Sequence, residues 1–481
     1  MSFDRLLPPQ RRGPRLLALS VLLLILFYMA WPVNFYLAEN LKRSYYMAFV
    51  PVLTAGALYF GGLKRGREYL LVFLYWLWFL LTRILCGDPA LKLEYVTWVD
   101  LSLMLPCLLT GLVLEKDERH SLLNWLGGLM GAFYFVLGLL ALYASVRRTT
   151  LINPITGGYL GVDLEDSFRR INILDTNVDV TACWYMMIIL VLVHQFFTCR
   201  SRLWRIPIAL ALLVDYAVIT ITYTRSVQLS LALVLAMLIC LPVRHALRGK
   251  SKALVVLCML AVFVLSAGGL FLGHRAVAAG LGAISQQVSL EQAPEPAALP
   301  EAPAAPVSES EAAPENPAET EDSFADPRAW NGNLNGFSSG RIAIYKSAFY
   351  VMGKNPAVLL RGSLERDYMT IANEVLPRKT VHYQNYLLEV LMLTGIPGFL
   401  LVLAFTLLIV IKGLRLFFAP EDKVPLGDKL LGLPVAAMML YGMFERCIFT
   451  YMDVRFLYFF LFCGLMLAAY REHFETNKLI G

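Results

Sequence analysis

The sequence predicts an all-α, polytopic integral membrane protein of about twelve transmembrane helices, with a large outer loop before the tenth span. Three observations carry this. Charged residues are 16% and hydrophobic ones 58% of the 481 residues, whereas soluble chains carry roughly 25% charged residues. Apolar runs of about 20 residues recur from end to end, each long enough to cross a bilayer as a helix. The short connections alternate between rich and poor in Lys and Arg, as positive-inside sorting requires.

Arg5, Arg11, Arg12 and Arg15 precede the apolar run 16–37. No small-residue cleavage pattern follows it, so it reads as an uncleaved first helix rather than a signal peptide. Further spans fall near 45–63, 69–86, 96–114, 122–145, 180–198, 205–222, 226–243 and 253–272, then 384–411, 430–449 and 454–470. Basic residues cluster at the N-terminus, Lys64/Arg65/Arg67, Lys116/Arg119, Arg200/Arg202/Arg205, Arg244/Arg248, Lys412/Arg415 and Arg471. That set is expected in the cytoplasm together with both termini. The alternate side holds only Lys42/Arg43, Lys92, Arg225 and Arg446 in its short connections. Residues 1–272 thus form helices one to nine, 273–383 an extracytoplasmic loop, and 384–481 the last three helices with a cytoplasmic tail.

Two outer connections are long, about 146–179 and 273–381. Residues 291–327 are Pro, Ala and Glu with almost no large apolar side chain, a composition expected to stay disordered and act as a spacer. Residues 338–356 predict an amphipathic helix capped by Ser338 or Ser339 and stopped by Gly353 and Pro356. Its shared face would be Ile342, Tyr345, Phe349 and Met352. The net charge of +6 follows the membrane and gives no sign of nucleic-acid binding. The eight cysteines lie in or beside apolar runs, which points to packing rather than a disulfide framework or a zinc site.

One stretch concentrates polar chemistry. His382, Asn385 and Glu389 are spaced to fall near one face of a helix entering the tenth span. Glu389 lies inside the apolar run, where an ionisable group either pairs with another helix or faces a cavity. Arg225 opens a helix in T-Y-T-R-S, Arg341 follows S-S-G, Arg169 and Arg170 occupy the first long loop, and Arg361 precedes Gly362. Guanidinium groups match phosphate oxygens and stay charged. Singly, each could contact lipid headgroups; several beside a histidine suggest a diphosphate site. The acids Asp100, Asp215 and Glu445 read as scattered, apart from this cluster.

The pattern S-G-R-x3-Y-x3-F-x6-P, a loop, then Q-N-x-x-L-x6-G-x-x-G (Gln384 to Gly398) resembles the O-antigen ligase and polymerase family of bacterial membrane glycosyltransferases. The likeness is clear over 338–411, supported by T-R-S at Arg225, and elsewhere topological. It implies transfer of glycan from an undecaprenyl-diphosphate carrier to an acceptor hydroxyl, at the outer face of the cytoplasmic (inner) membrane, with neither metal nor other cofactor. By resemblance, Arg225 and Arg341 contact the diphosphate and His382 is the base. Arg169, Arg170 and Arg361 are weaker phosphate candidates; Asn385, Gln384 and Glu389 bind substrate or orient the histidine. The family reads His-Asn where this chain has Gln384-Asn385. Either His382 swings in from two residues earlier or another group accepts the proton. Ligase and polymerase stay undivided. A transporter or flippase for lipid-linked saccharide is the rival, and it would want mid-membrane polar residues and internal repeats. A third reading is a structural partner tethered by 291–327.

Overall fold

The structure is a computed structural model that describes residues 12–29, 39–86, 95–147, 149–152, 159–162, 171–173, 178–247, 249–292, 341–376, 379–380, 382–449 and 454–475. Its helices in chain order are α1 (Arg12–Met29), α2 (Glu39–Tyr59), α3 (Tyr69–Leu85), α4 (Tyr95–Val113), α5 (Lys116–Arg147), α6 (Val178–Thr198), α7 (Arg202–Ile221), α8 (Arg225–Ala246) and α9 (Lys252–Gln292). After them come α10 (Arg341–Lys354), α11 (Ala357–Arg361), α12 (Glu365–Ala372), α13 (Tyr386–Phe417), α14 (Leu426–Leu430), α15 (Gly432–Gly442) and α16 (Val454–Phe474).

Among the described residues, six helices are long and apolar enough to span a bilayer: α5, α6, α7, α8, the 253–284 part of α9, and α13. Shorter apolar helices cover 13–26, 48–59, 69–85 and 102–113. The protein is therefore helical and membrane-like, with six helices of full spanning length and four shorter apolar ones among the described residues, against an expected twelve spans. Helix α6 is the centre, buried without a break from Thr181 to Gln195. The peripheral helices instead turn apolar side chains outward, as Leu213, Val256 and Leu265 do at 67%, 65% and 74% exposure. Such faces are stable where the surrounding medium is hydrocarbon.

Four boundaries differ from the sequence expectation. Helix α9 runs on to Gln292, past the expected end at 272, in a stretch that holds three glycines but no proline. The first long connection holds a three-stranded antiparallel sheet, β1 (Thr150–Ile152), β2 (Tyr159–Val162) and β3 (Ile171–Ile173), within an otherwise helical chain. The expected span 430–449 ends at Gly442, and residues 443–449 form a loop. Helix α10 buries Ser347, Ala348 and Val351 and leaves Phe349 68% exposed, so its packed face lies one step round from the predicted one. The bulk of residues 291–327, with Ser338, Ser339, Arg169 and Arg170, lies outside the described residues.

Helix α13 is two helices joined at Gly395, whose φ of 66° and ψ of −172° break the ladder two residues before Pro397. A kink frees backbone carbonyls, and in hydrocarbon each unsatisfied one costs several kcal/mol. All three carbonyls before the break find donors: Met392 O from Ser363 N at 2.9 Å, Leu393 O from Arg83 Nη2 at 3.3 Å, and Thr394 O from Trp78 Nε1 at 2.7 Å. The short helix α11 and Gly362 press against the gap. A Cβ on Gly362 would stand 2.2 Å from Leu393 O, and one on Gly395 would stand 2.8 Å from Leu360 O. This reciprocal approach seats α10–α12 over the N-terminal half of α13, around a small core of Ala348, Val351, Val358, Tyr368, Met369 and Tyr383.

The two ends of the bundle differ in chemistry. At the C-terminal ends of α13 and α16, Lys412 binds Glu68 at 2.6 Å and Glu475 at 2.8 Å, Arg471 also pairs with Glu68, Arg119 binds Glu472 at 2.7 Å, and His473 meets Asp428 at 2.8 Å. These residues belong to, or adjoin, the basic connections that the sequence places on one side. The N-terminal ends of the same two helices hold Asn385 and Arg455, and with them the candidate site.

Candidate functional site

The segment 382–385 enters α13 as an extended turn rather than as part of the helix, so His382, Asn385 and Glu389 do not share a helical face. Asn385 is the N-cap: its Oδ1 accepts from Leu387 N at 3.0 Å and Leu388 N at 3.1 Å, and its Nδ2 donates to Met443 O at 3.0 Å. One side chain thereby ties the start of α13 to the loop 443–449. Gln384 adopts a φ of 51°, a left-handed conformation that is uncommon for a residue with a side chain and that concentrates at functional sites. It points Gln384 N at His382 Nδ1, 3.2 Å away.

Glu389 holds this turn from below. It is wholly buried, its Oε1 accepting from the Tyr368 hydroxyl at 2.6 Å and its Oε2 from Tyr383 N at 2.9 Å. Tyr368 and Tyr383 stack at 5.5 Å. With both oxygens engaged, Glu389 has the geometry of a positioning residue. Asn385 has it too. The expected result of Asn385→Ala is a loss of about 1 kcal/mol from the cap alone, read as a lowered Tm in detergent. Asn385→Asp should restore most of that Tm but not the Met443 tie.

Arginines surround the turn. Arg341, in the first turn of α10, donates from Nε to Phe444 O at 3.3 Å and lies 3.6 Å from Glu445 Oε1 through Nη2. Arg446 pairs with Glu365 and approaches Glu389 Oε1 at 3.8 Å. Arg455 donates to the Tyr441 hydroxyl at 2.9 Å, and that hydroxyl donates to Asp179 O at 3.1 Å. Thr224, immediately before Arg225, donates to Asp179 Oδ1 at 3.0 Å. The starts of α6, α8, α10, α13 and α16 and the loop 443–449 therefore meet in one polar array.

Burial, followed by the positive charges of Arg446, Arg455 and Arg341, pushes the His382 imidazole down to a pKa of about 3. It is neutral at any working pH. Because Nδ1 accepts from Gln384 N at 3.2 Å, the ring proton of the neutral imidazole belongs on Nε2, which makes that nitrogen a hydrogen-bond donor. Glu445 behaves oppositely: burial first, and then neighbouring Asp179, raise its carboxyl to about 7 against the lowering effect of Arg455, Arg341 and Arg446.

The structure thus gathers Arg341, His382, Gln384, Asn385 and Glu389, while Thr224, the residue before Arg225, donates to Asp179, which also accepts from Tyr441. Arg361 is exposed at the end of α11, and Arg169 and Arg170 are not described. Sequence reading missed Arg455, Asp179, Tyr441 and the roles of Glu445 and Arg446. The available signal was an Arg opening the apolar run of α16 and an adjacent Glu-Arg pair after α15, charges that membrane-facing segments tolerate only with partners. Glu445 is not a scattered acid; the turn after Gly442 carries it to Arg341. Among the described residues, no three His, Cys, Asp or Glu side chains are grouped to hold a metal ion.

Residues 208–403 match the family model described as O-antigen ligase. No curated protein and no solved structure matches the chain. The matched segment includes Arg225, Arg341, His382 and the kink at Gly395, and stops short of Glu445, Arg446 and Arg455.

Proposed function

We propose that this chain is a membrane glycosyl-transferring enzyme of the O-antigen ligase kind, as the match over residues 208–403 supports, and that it transfers glycan from an undecaprenyl-diphosphate carrier to an acceptor hydroxyl. The observation that supports this reading best is the array of Arg341, Arg446 and Arg455 around a neutral His382, joined to the start of the Arg225 helix through Asp179. In the reaction the acceptor oxygen bonds to the anomeric carbon while the bond from that carbon to the diphosphate oxygen breaks. The electron pair leaves on the diphosphate. Preorganised guanidinium donors stabilise the charge that grows there, the kind of contribution that is usually the largest in such transfers. Arg225 and Arg341 are the proposed diphosphate contacts, and His382 adds a donor from Nε2.

The site lies at the bundle end opposite the Lys412–Glu68–Arg471 network. With basic connections on the cytoplasmic side, the reading places the chemistry at the outer face of the cytoplasmic membrane, where lipid-linked glycans are presented. Purified protein incubated with a labelled undecaprenyl-diphosphate oligosaccharide is expected to release the lipid diphosphate and form a new glycosidic adduct. A ladder without added acceptor identifies a polymerase, and a single adduct formed only with acceptor identifies a ligase. Unchanged substrate across several glycans, alongside movement of intact lipid between leaflets, would replace the transferase with a flippase.

A further inference from the structure

Resting on that reading, we propose that Glu445 is the general base, its carboxylate taking the proton of the acceptor hydroxyl as the glycosidic bond forms. Three geometric facts lead there. The Gln384 N–H occupies the lone pair of His382 Nδ1 at 3.2 Å, so the proton of the neutral ring sits on Nε2 and neither nitrogen is free to accept another. Glu389 is saturated by Tyr368 and Tyr383 and fully enclosed. Glu445, in contrast, keeps 13% of its side chain exposed and forms an ion pair with Arg341 at 3.6 Å, beyond hydrogen-bond distance. It is the carboxylate placed against the proposed diphosphate arginine and not consumed by the scaffold.

The step balances. The acceptor O–H breaks and its proton goes to a Glu445 oxygen. The acceptor oxygen bonds to the anomeric carbon, and the carbon–oxygen bond to the diphosphate breaks with its electron pair on the leaving group. The charged and titratable neighbours facing Glu445 are Asp179 from α6, Arg341 and Tyr345 from α10, Tyr441 from α15, Arg455 from α16 and Arg446 from its own loop. Burial and the charged groups among them hold its carboxyl at about 7, the range in which a carboxylate is both ionised and a useful base. An anionic donor bound at Arg341 competes with Glu445 for that guanidinium. Binding therefore frees the carboxylate beside the reacting carbon and raises its proton affinity further.

The sign of the pH dependence follows. The base works when deprotonated, so kcat/KM falls as pH drops through about 7, and the limb in kcat lies at higher pH because the bound diphosphate is negative. His382, neutral above about pH 3, contributes no limb in this range. The test uses the full chain with labelled undecaprenyl-diphosphate oligosaccharide and acceptor from pH 5 to 9, with donor binding measured separately. Glu445→Gln should still bind donor, lose about 10²–10³-fold in kcat, and show no acid limb. Glu445→Asp should keep the limb at a reduced rate. His382→Gln should lower the rate and leave the limb where it was. Wild-type turnover in Glu445→Gln, or an acid limb that persists in it, overturns the assignment. So does an acid limb that vanishes in His382→Gln. If Glu445→Gln fails to bind donor, Glu445→Asp decides: a flat profile there removes Glu445 as base. A wild-type protein that transfers nothing removes the reaction itself, an outcome distinct from transfer that ignores residue 445.

Discussion

Replacing Arg341 with alanine is expected to reduce glycan transfer by about 10³–10⁵-fold, by analogy with the contribution of an arginine finger to phosphoryl transfer. The side chain sits at the first turn of α10, held by Phe444 O at 3.3 Å and by Glu445 at 3.6 Å. It is partly exposed, at 18% of its side chain, so it is oriented and reachable at once. Its removal also releases Glu445 from its ion partner. Arg341→Lys separates the two effects: the charge is kept, but the fixed fork that matches two phosphate oxygens is lost. An intermediate rate, with donor binding weakened in both variants, is the expected pattern. Equal rates in wild type and Arg341→Ala would remove the diphosphate assignment.

The second large effect concerns the scaffold. Gly395→Ala is expected to lower the yield and Tm of the folded protein in detergent sharply. A φ of 66° costs a residue with a side chain about 1–3 kcal/mol, and the new Cβ would also meet Leu360 O at 2.8 Å and Leu359 O at 2.9 Å. Both neighbours are backbone and cannot swing aside. Separating α11 from α13 would also expose the carbonyls that Ser363, Arg83 and Trp78 now satisfy. Gly353→Ala is the control, because a Cβ there meets nothing within 4 Å and Ala favours the helix by about 1 kcal/mol. A Gly395→Ala protein as stable as wild type would mean that the kink is not needed to seat α10–α12.

Composition and pattern by themselves determined the broad answer. A chain with few charges and repeated long apolar runs must be helical in a membrane, since only helices satisfy their own backbone there. The stretch from Arg341 to Gly398 was legible as the organising one because its residue types are unusual at an apolar boundary. The family match over 208–403 includes it. The N-cap was not read from the sequence: the spacing put Asn385 on one helix face with His382 and Glu389, whereas its side chain caps the start of α13.

Only the tertiary structure decided what each polar side chain does. Glu389 and Glu445 look alike in sequence, two acids beside apolar helices. The fold closes Tyr368 and Tyr383 over the first and turns the second, after Gly442, toward Arg341. His382 reads as a base in the sequence, and in the fold a left-handed Gln384 directs its N–H to Nδ1. The gathering of Asp179, Arg455 and Tyr441 requires helices far apart in the chain to end at one place. Periodicity reports which side of a helix is apolar, but the helix ends are set by turns and caps, and it is the ends that build this site. The physical reason is range: propensity and hydropathy act over a few residues, whereas groups that meet at this site, such as Tyr441 and Asp179, lie 262 residues apart in sequence and within a hydrogen bond in space.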